Sequence, residues 1–172
     1  MKDTLKIINQ MLKQKLFKKY AIGGGIGAIF YIEPVTTFDL DIFIIMKEKK
    51  ENTILLLTPI YDWLKKNGYK FKNEQIVIEG IPVQFIPSYN KLVKEAVENS
   101  KETEYNNVNT YVISKEYLIA IMLQTNRQKD RERMIKFMEQ ADVSDEILDS
   151  ILKRHNLIKA LKEFEKKYLN EK

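Results

Sequence analysis

The stretch TTFDLDIFII, residues 36–45, constrains this chain most, because it sets two carboxylates in a run otherwise as apolar as a buried β-strand. In a strand, Asp39 and Asp41 point to the same face, with Cα atoms roughly 6.5 to 7 Å apart. Charges in such a setting are expensive unless they are paired or hold a metal. Two interpretations follow: both aspartates bind one cation, or Asp39 caps a turn and Asp41 pairs with a lysine.

The first interpretation suits a hard cation such as Mg²⁺, which commonly takes one or two carboxylates together with substrate phosphates. Phe43 and Ile45 continue on the same face as the aspartates. The carboxylates would therefore lie at the N-terminal end of the strand, while the rest of that face enters the core.

A glycine cluster precedes this strand. Gly23, Gly24 and Gly25 open a short apolar segment, predicted to be helical as far as Phe30. Free amides and missing side chains at a helix start let a phosphate approach closely, although a flexible turn or close helix packing is the other interpretation. With the two aspartates, such a turn can hold a triphosphate and Mg²⁺.

Composition narrows the protein class. The 172 residues are 44% hydrophobic and 31% charged, as in an ordinary folded domain. Cysteine is absent and His155 is the single histidine, which excludes thiolate and multi-histidine metal sites. His155 lies between two predicted helices, where a cap or surface residue is expected, so no catalytic role is assigned to it. The longest uncharged run, residues 20–32, is too short and too rich in glycine to span a membrane. With no secretory signal recognised, a cytoplasmic protein without a membrane partner is predicted.

The net charge of +5 favours polyanionic partners such as nucleic acid or nucleotide phosphates. The densest basic segment, Lys13 to Lys19, fits a solvated helix face at least as well. A basic RNA-binding module is a further alternative, although no recognisable RNA-binding motif is present.

The order of the predicted elements indicates an α+β fold, because strands dominate the first part of the chain and helices the last. We predict a sheet domain over residues 1–113 and a helical region over residues 114–172 that packs on it. Local predictions include a charged loop at 47–52, a helix over 54–67 with Thr58-Pro59 in its first turn, and a hairpin turn at Glu79-Gly80.

Gly24-Gly25, thirteen intervening residues and then Asp39-Leu40-Asp41 resemble the signature of the nucleotidyltransferase-fold superfamily, that of DNA polymerase beta. Thr37, two residues before the first aspartate, matches a serine or threonine common there. The sequence is most similar to small bacterial and archaeal proteins of the AbiEii-type and minimal nucleotidyltransferase groups. The resemblance spans roughly residues 20–140 and includes an R-x-K-D segment formed by Arg127, Lys129 and Asp130.

This resemblance implies a mixed sheet flanked by helices and a role for each matching residue. Asp39 and Asp41 would bind Mg²⁺ or Mn²⁺, Gly24 and Gly25 would hold the β and γ phosphates, and Thr37 would add a hydroxyl contact. It implies transfer of a nucleotidyl group from a nucleoside triphosphate to an unknown acceptor: RNA, a protein side chain or a small molecule. Arg127 and Lys129 would contact phosphate or a partner, unless their segment is a solvated helix face together with Arg131 and Arg133.

Several positions depart from the family pattern. Gln84, in the strand IPVQFIP, occupies the position of a third carboxylate, and an amide cannot act as a carboxylate base. Glu79 is an acidic substitute whose place in a hairpin turn favours a solvated role. Val35 and Met122 stand where arginine and lysine are common. These departures favour an alternative function, a catalytically weak nucleotide sensor or the binding half of a toxin–antitoxin pair.

Overall fold

A computed structural model describes residues 1–47, 53–72 and 75–169. The helices in these parts are α1 Lys2–Lys13, α2 Gly24–Ala28, α3 Thr53–Lys66, α4 Lys91–Glu98, α5 Lys115–Thr125, α6 Gln128–Gln140, α7 Asp145–Arg154 and α8 Ile158–Tyr168. The strands are β1 Lys19–Ile22, β2 Leu40–Ile45, β3 Phe71–Lys72, β4 Gln75–Ile78, β5 Ile81–Pro87, β6 Lys101–Tyr105 and β7 Val108–Val112.

The seven strands form one mixed sheet in the order β3-β4-β5-β2-β1-β7-β6. The central strand β2 runs parallel to β5 and antiparallel to β1, and β1 runs parallel to β7. The remaining neighbours are antiparallel pairs. The predicted α+β fold with a mixed sheet and a helical C-terminal region is confirmed.

Side chains of β2 alternate between two cores, one on each face of the sheet. Leu40, Ile42 and Ile44 are fully buried in the core that the sheet forms with α1 and α3. Phe43 belongs to the opposite core, and Ile45 packs against it. The period of two is what an interior strand covered on both sides requires.

The C-terminal helices supply most of the second core. Buried residues of α4, α5, α6, α7 and α8 join Ala21 and Phe43 of the sheet in one apolar cluster, which includes residues on both sides of the predicted boundary at residue 114. Polar contacts add to this packing, since Glu95 of α4 accepts hydrogen bonds from Tyr117 of α5 and Arg154 of α7. His155 Nε2 lies 2.9 Å from the Glu95 carboxylate, which gives this histidine a structural contact.

One helix prediction is wrong in detail. The helix α3 begins at Thr53, so Pro59 lies inside it rather than in the first turn, and the missing proline N–H removes one interior hydrogen bond. The helix α6 begins at Gln128. Ser144 is the N-cap of α7 and accepts a hydrogen bond from the Ile147 N–H.

The hairpin of β6 and β7 includes a strand that the sequence did not predict. Residues 101–105, KETEY, carry mostly charged side chains and form an edge of the sheet. Asn106 and Asn107 connect the strands with positive φ angles of 48° and 63°, as in a two-residue hairpin turn. The predicted hairpin turn at Glu79-Gly80 joins β4 to β5 and is confirmed.

Of the predicted charged loop at 47–52, residues 48–52 lie outside the described residues, as do residues 170–172 of the C-terminal region. In the part of the chain that is described, none of the helices combines the length and apolar character needed to cross a bilayer.

Candidate functional site

Asp39 and Asp41 open into a cavity of about 180 Å³ between the sheet and the C-terminal helices. Asp39 immediately precedes β2, and Asp41 is the second residue of that strand. Because the neighbours Leu40 and Ile42 are fully buried in the opposite core, the alternation of the strand turns Asp41 towards the cavity. The structure thus brings the two carboxylates together at the N-terminal end of β2.

The environment of Asp41 opposes its ionisation. Burial raises the pKa of this carboxyl to about 6, and repulsion from Asp39 adds to the shift. Lys129, Arg127 and Arg133 lower this pKa only in part. Asp39 accepts a hydrogen bond from Gln75 Nε2 at 3.1 Å, whereas no side chain in the described ranges donates one to Asp41. A cation bound at this position would remove the cost of ionising Asp41.

The glycine turn lies against this carboxylate pair. The Gly23 N–H donates to the Asp41 carbonyl at 3.0 Å, which ties the start of α2 to β2. A β carbon on Gly25 would lie 2.6 Å from Thr37 Oγ1 and 2.8 Å from a terminal guanidinium nitrogen of Arg133. Side chains from the loop before β2 and from α6 therefore occupy the space that these glycines leave free.

Thr37 supports the carboxylates through the backbone. Its hydroxyl donates to the carbonyl of Asp39 at 3.4 Å, and its side chain is half-buried against Gly25. Thr37 does not line the cavity itself. The structure therefore places this threonine behind the site, where its hydrogen bond holds the backbone that leads into β2.

Gln84 stands beside Asp41 on the neighbouring strand. The parallel pairing of β2 and β5 sets Asp41 directly opposite Gln84, and the exposed amide lines the cavity. Glu79 lies in the β4–β5 turn, where it accepts a hydrogen bond from the Tyr69 hydroxyl. Across the described residues, no group of three or more acidic, histidine or cysteine side chains is arranged to hold a metal. The side chains that could offer oxygen atoms to an ion at this position are therefore two carboxylates and one neutral amide.

The helix α6 supplies the positive side of the cavity, but Arg127 is already engaged. Its guanidinium donates to both oxygens of Asp130, at 2.7 and 3.2 Å. Asp130 is only 1% exposed and also accepts from the Thr125 hydroxyl at 2.7 Å. Burial would raise the pKa of Asp130, yet these hydrogen bonds outweigh it and lower the pKa overall. Arg127 thus contributes less net charge to the cavity than its position suggests.

Lys129 and Arg133 reach the cavity from the same helix. Lys129 is exposed at the opening, whereas Arg133 is only 7% exposed and lies 3.9 Å from Asp130. The solvated-face interpretation is therefore wrong for Arg133. The sequence feature that could have predicted its burial is its helical spacing with Asp130 and Phe137, which places all three residues on the inward face of α6.

Apolar and aromatic side chains complete the lining. Met122 forms part of the cavity wall, and Val35 packs against the adjoining core, so neither restores the positive charge that the resemblance would place there. Tyr89 also lines the cavity and was not predicted. It lies two residues beyond the end of β5 at Pro87, so the sequence signal was a large aromatic residue shortly after a strand that lies next to β2.

The overall arrangement agrees with a solved structure. An antigenic nucleotidyltransferase-like protein from Paracoccidioides brasiliensis matches with a TM-score of 0.55 and 16% identity over 94% of this chain and 93% of that chain. The chain has a nucleotidyltransferase-like fold. No protein-family model matches the sequence, and no curated protein matches it either. The fold expected from the resemblance is confirmed, whereas the AbiEii-type relationship stays a prediction.

Proposed function

We propose that this nucleotidyltransferase-like protein transfers a nucleotidyl group from a Mg²⁺-bound nucleoside triphosphate to an acceptor hydroxyl. The observation that carries the proposal is the pairing of Asp39 and Asp41 beneath a glycine turn, across one cavity from the basic residues of α6. A carboxylate pair facing basic side chains provides complementary contacts for a metal ion and for phosphate oxygens.

The residues fit a divalent ion by the chemistry of their donors. Asp39 and Asp41 supply carboxylate oxygens, and the Gln84 amide can add a neutral oxygen, which is the oxygen-rich set that Mg²⁺ or Mn²⁺ prefers. When bound, the ion neutralises charge on the phosphates. The half-buried Asp41, which receives no hydrogen bond from the described side chains, is the best evidence that the chain leaves a position for a cation.

The remaining residues position the donor. Gly24 lines the cavity, so the β and γ phosphates would contact the glycine turn there, whereas Gly25 lies behind it against Thr37 and Arg133. Lys129 and Arg133 offset negative charge from the α6 side. The acceptor oxygen forms a bond to the α phosphorus as the bond to pyrophosphate breaks, so positioning and charge neutralisation provide most of the rate enhancement.

Gln84 favours a second candidate function, a nucleotide-binding sensor or partner protein with weak catalysis. An amide cannot take the proton of the acceptor hydroxyl, so this proton must pass to water or to one of the two aspartates. Either route weakens general-base catalysis without preventing nucleotide binding. A role in a toxin–antitoxin type system belongs to this second candidate.

The test is calorimetric titration with each of the four nucleoside triphosphates in Mg²⁺ and in Mn²⁺. Wild type is compared with the Asp39→Asn/Asp41→Asn double variant and with Glu79→Gln, a control that removes an exposed carboxylate outside the cavity. We expect binding by wild type and the control and loss of binding by the double variant. Equal binding by all three proteins, or none by wild type, would contradict the proposed metal and nucleotide site.

Pyrophosphate release from the same mixtures separates the two candidate functions. Each binding triphosphate is incubated with RNA, protein and small-molecule acceptors. Release that requires both aspartates and an acceptor supports the transferase. Metal-dependent binding without release across these acceptors favours the sensor.

A further inference from the structure

Tyr89 is an exposed aromatic side chain at the wall of the cavity. The residue is 56% exposed even though it lines the same cavity as Asp39 and Asp41. Large aromatic rings usually bury much of their surface, so an exposed ring at the wall of this cavity is available to a ligand.

The two neighbours of Tyr89 hold its backbone in place. The Ser88 N–H and hydroxyl both donate to the Ile44 carbonyl, at 2.9 and 3.0 Å. Asn90 caps α4 by accepting from the Val93 N–H at 2.8 Å, and its amide also donates to Gln124 at 2.6 Å. Because the chain is anchored on both sides, little conformational freedom is lost when a flat ligand packs on the ring.

The surroundings of the ring combine an apolar wall with nearby charge. Ile86 and Met122 line the cavity together with Tyr89, and Arg127 lies close enough to influence the phenol. Partial burial raises the pKa of the Tyr89 phenol, and the negative charge of Asp130 adds to this shift while the positive charge of Arg127 opposes it. An apolar surface beside a guanidinium suits a flat heteroaromatic group attached to a negatively charged backbone.

We propose that the ring of Tyr89 is a stacking platform for a nucleobase. This inference rests on the proposed function, because the phosphates of the same ligand or its reaction partner would lie at the carboxylate and glycine end of the cavity. The base could belong to the donor triphosphate or to a single-stranded RNA acceptor, since both present the same aromatic face. Tyr89 is therefore a candidate specificity-determining residue that the family resemblance did not indicate.

The donor is tested with a ligand that lacks the base. The nucleoside triphosphate that wild type binds best and inorganic triphosphate are titrated in Mg²⁺ into wild type, Tyr89→Ala and Tyr89→Phe. If the donor base stacks on Tyr89, the alanine variant should bind the nucleotide roughly 5- to 100-fold more weakly and inorganic triphosphate unchanged. Tyr89→Phe keeps the ring and should retain wild-type affinity for both ligands.

The acceptor is tested separately with a short single-stranded RNA oligonucleotide. If the acceptor base stacks on Tyr89, the alanine variant should lose a similar factor in oligonucleotide affinity while its nucleotide affinity stays at the wild-type value. Phe38→Ala is the matched control, because Phe38 is 84% exposed and precedes Asp39 but does not line the cavity. This control should leave both affinities unchanged.

The outcomes distinguish this inference from the proposed function. Wild-type nucleotide and oligonucleotide affinities in Tyr89→Ala would overturn the stacking platform and leave the proposed function intact. Equal losses in Tyr89→Ala and Tyr89→Phe, or an equal loss for inorganic triphosphate, would also overturn it, because the ring would not be the cause. Failure of wild type to bind either the nucleotide or inorganic triphosphate would overturn the proposed function itself.

Discussion

Gly24 and Asp41 lie in direct contact, because a β carbon built on Gly24 would be only 1.7 Å from Oδ2 of Asp41. Gly24 also has a φ of +56°, in the left-handed region that side chains disfavour. The turn thus approaches the carboxylate as closely as a residue without a side chain allows.

Gly24→Ala should displace the Asp41 carboxylate and weaken Mg²⁺-dependent nucleotide binding at least 10-fold. This corresponds to a loss of at least about 1.4 kcal/mol in binding free energy. It should also lower the free energy of unfolding by about 1–2 kcal/mol because of the left-handed backbone. Gly68→Ala is the matched control, since Gly68 has a φ of +86° and no atom of the described residues lies within 4 Å of the added carbon. Urea unfolding should show a loss of stability for both variants, larger for Gly24→Ala because of the clash with Asp41, and calorimetry should show a binding defect for Gly24→Ala alone. Equal binding by the two would contradict the contact.

The pKa of Asp41 predicts a pH-dependent cost in stability. Burial raises this pKa to about 6, above the ordinary aspartate value of about 3.9. The folded state then binds more protons than the unfolded state between these values, so the free energy of unfolding falls as the pH rises through that range. Asp41→Asn should therefore be more stable than wild type by about 1–2 kcal/mol near pH 7, and the difference should vanish near pH 4.

Urea unfolding with a chelator present, repeated across this pH range, measures the effect. Glu79→Gln is the control, because Glu79 is exposed and lies outside the cavity. An Asp41→Asn variant that is less stable than wild type at neutral pH would show that the basic residues of α6 already compensate the ionised carboxylate.

Gln84→Glu should create a three-carboxylate site, because Gln84 lies opposite Asp41 in the parallel pairing of β2 and β5. A third carboxylate gives a hard cation another charged oxygen ligand. We expect Mg²⁺ affinity measured without nucleotide to rise on the order of 10-fold, a gain of about 1.4 kcal/mol. Gln10→Glu, an exposed substitution on α1, is the control for the added charge. Unchanged affinity in Gln84→Glu would mean that this position does not reach the ion.

Asp130 should be essential for stability. It is almost completely buried and accepts hydrogen bonds from Arg127 and Thr125. Asp130→Asn leaves cations without their counter-charge, so the free energy of unfolding should fall by about 2–4 kcal/mol. Asp149→Asn removes an exposed ion pair with Lys153 and should cost less than about 1 kcal/mol. Urea unfolding of both variants at neutral pH makes the comparison, and similar small losses would contradict a stabilising role for Asp130.

Local patterns were sufficient where one short segment determines its own structure. The alternation in β2 predicted that Asp41 and Phe43 share a face, because successive strand residues point to opposite sides. The hairpin turn at Glu79-Gly80 could likewise be predicted from its own residues. The strand β6 was missed because its charged side chains lack an apolar period, although the Asn106-Asn107 pair after it is a turn signal.

The family resemblance, which depends on motif spacing, also predicted that Asp39, Asp41 and Gln84 lie close together. The register of β2 and β5 then set Gln84 opposite Asp41. This pairing is a long-range property, because the hydrogen bonds that establish it join segments separated by the whole of α3 and the β3–β4 region.

The sequence by itself determined the nature of β2, the glycine turn and the helical character of the C-terminal region, since each depends on residues close together in the chain. Only the tertiary structure decided that Arg133 is buried and that Tyr89 lines the cavity. The reason is physical: helical or strand periodicity defines the faces of an element, whereas packing between distant elements decides what each face meets.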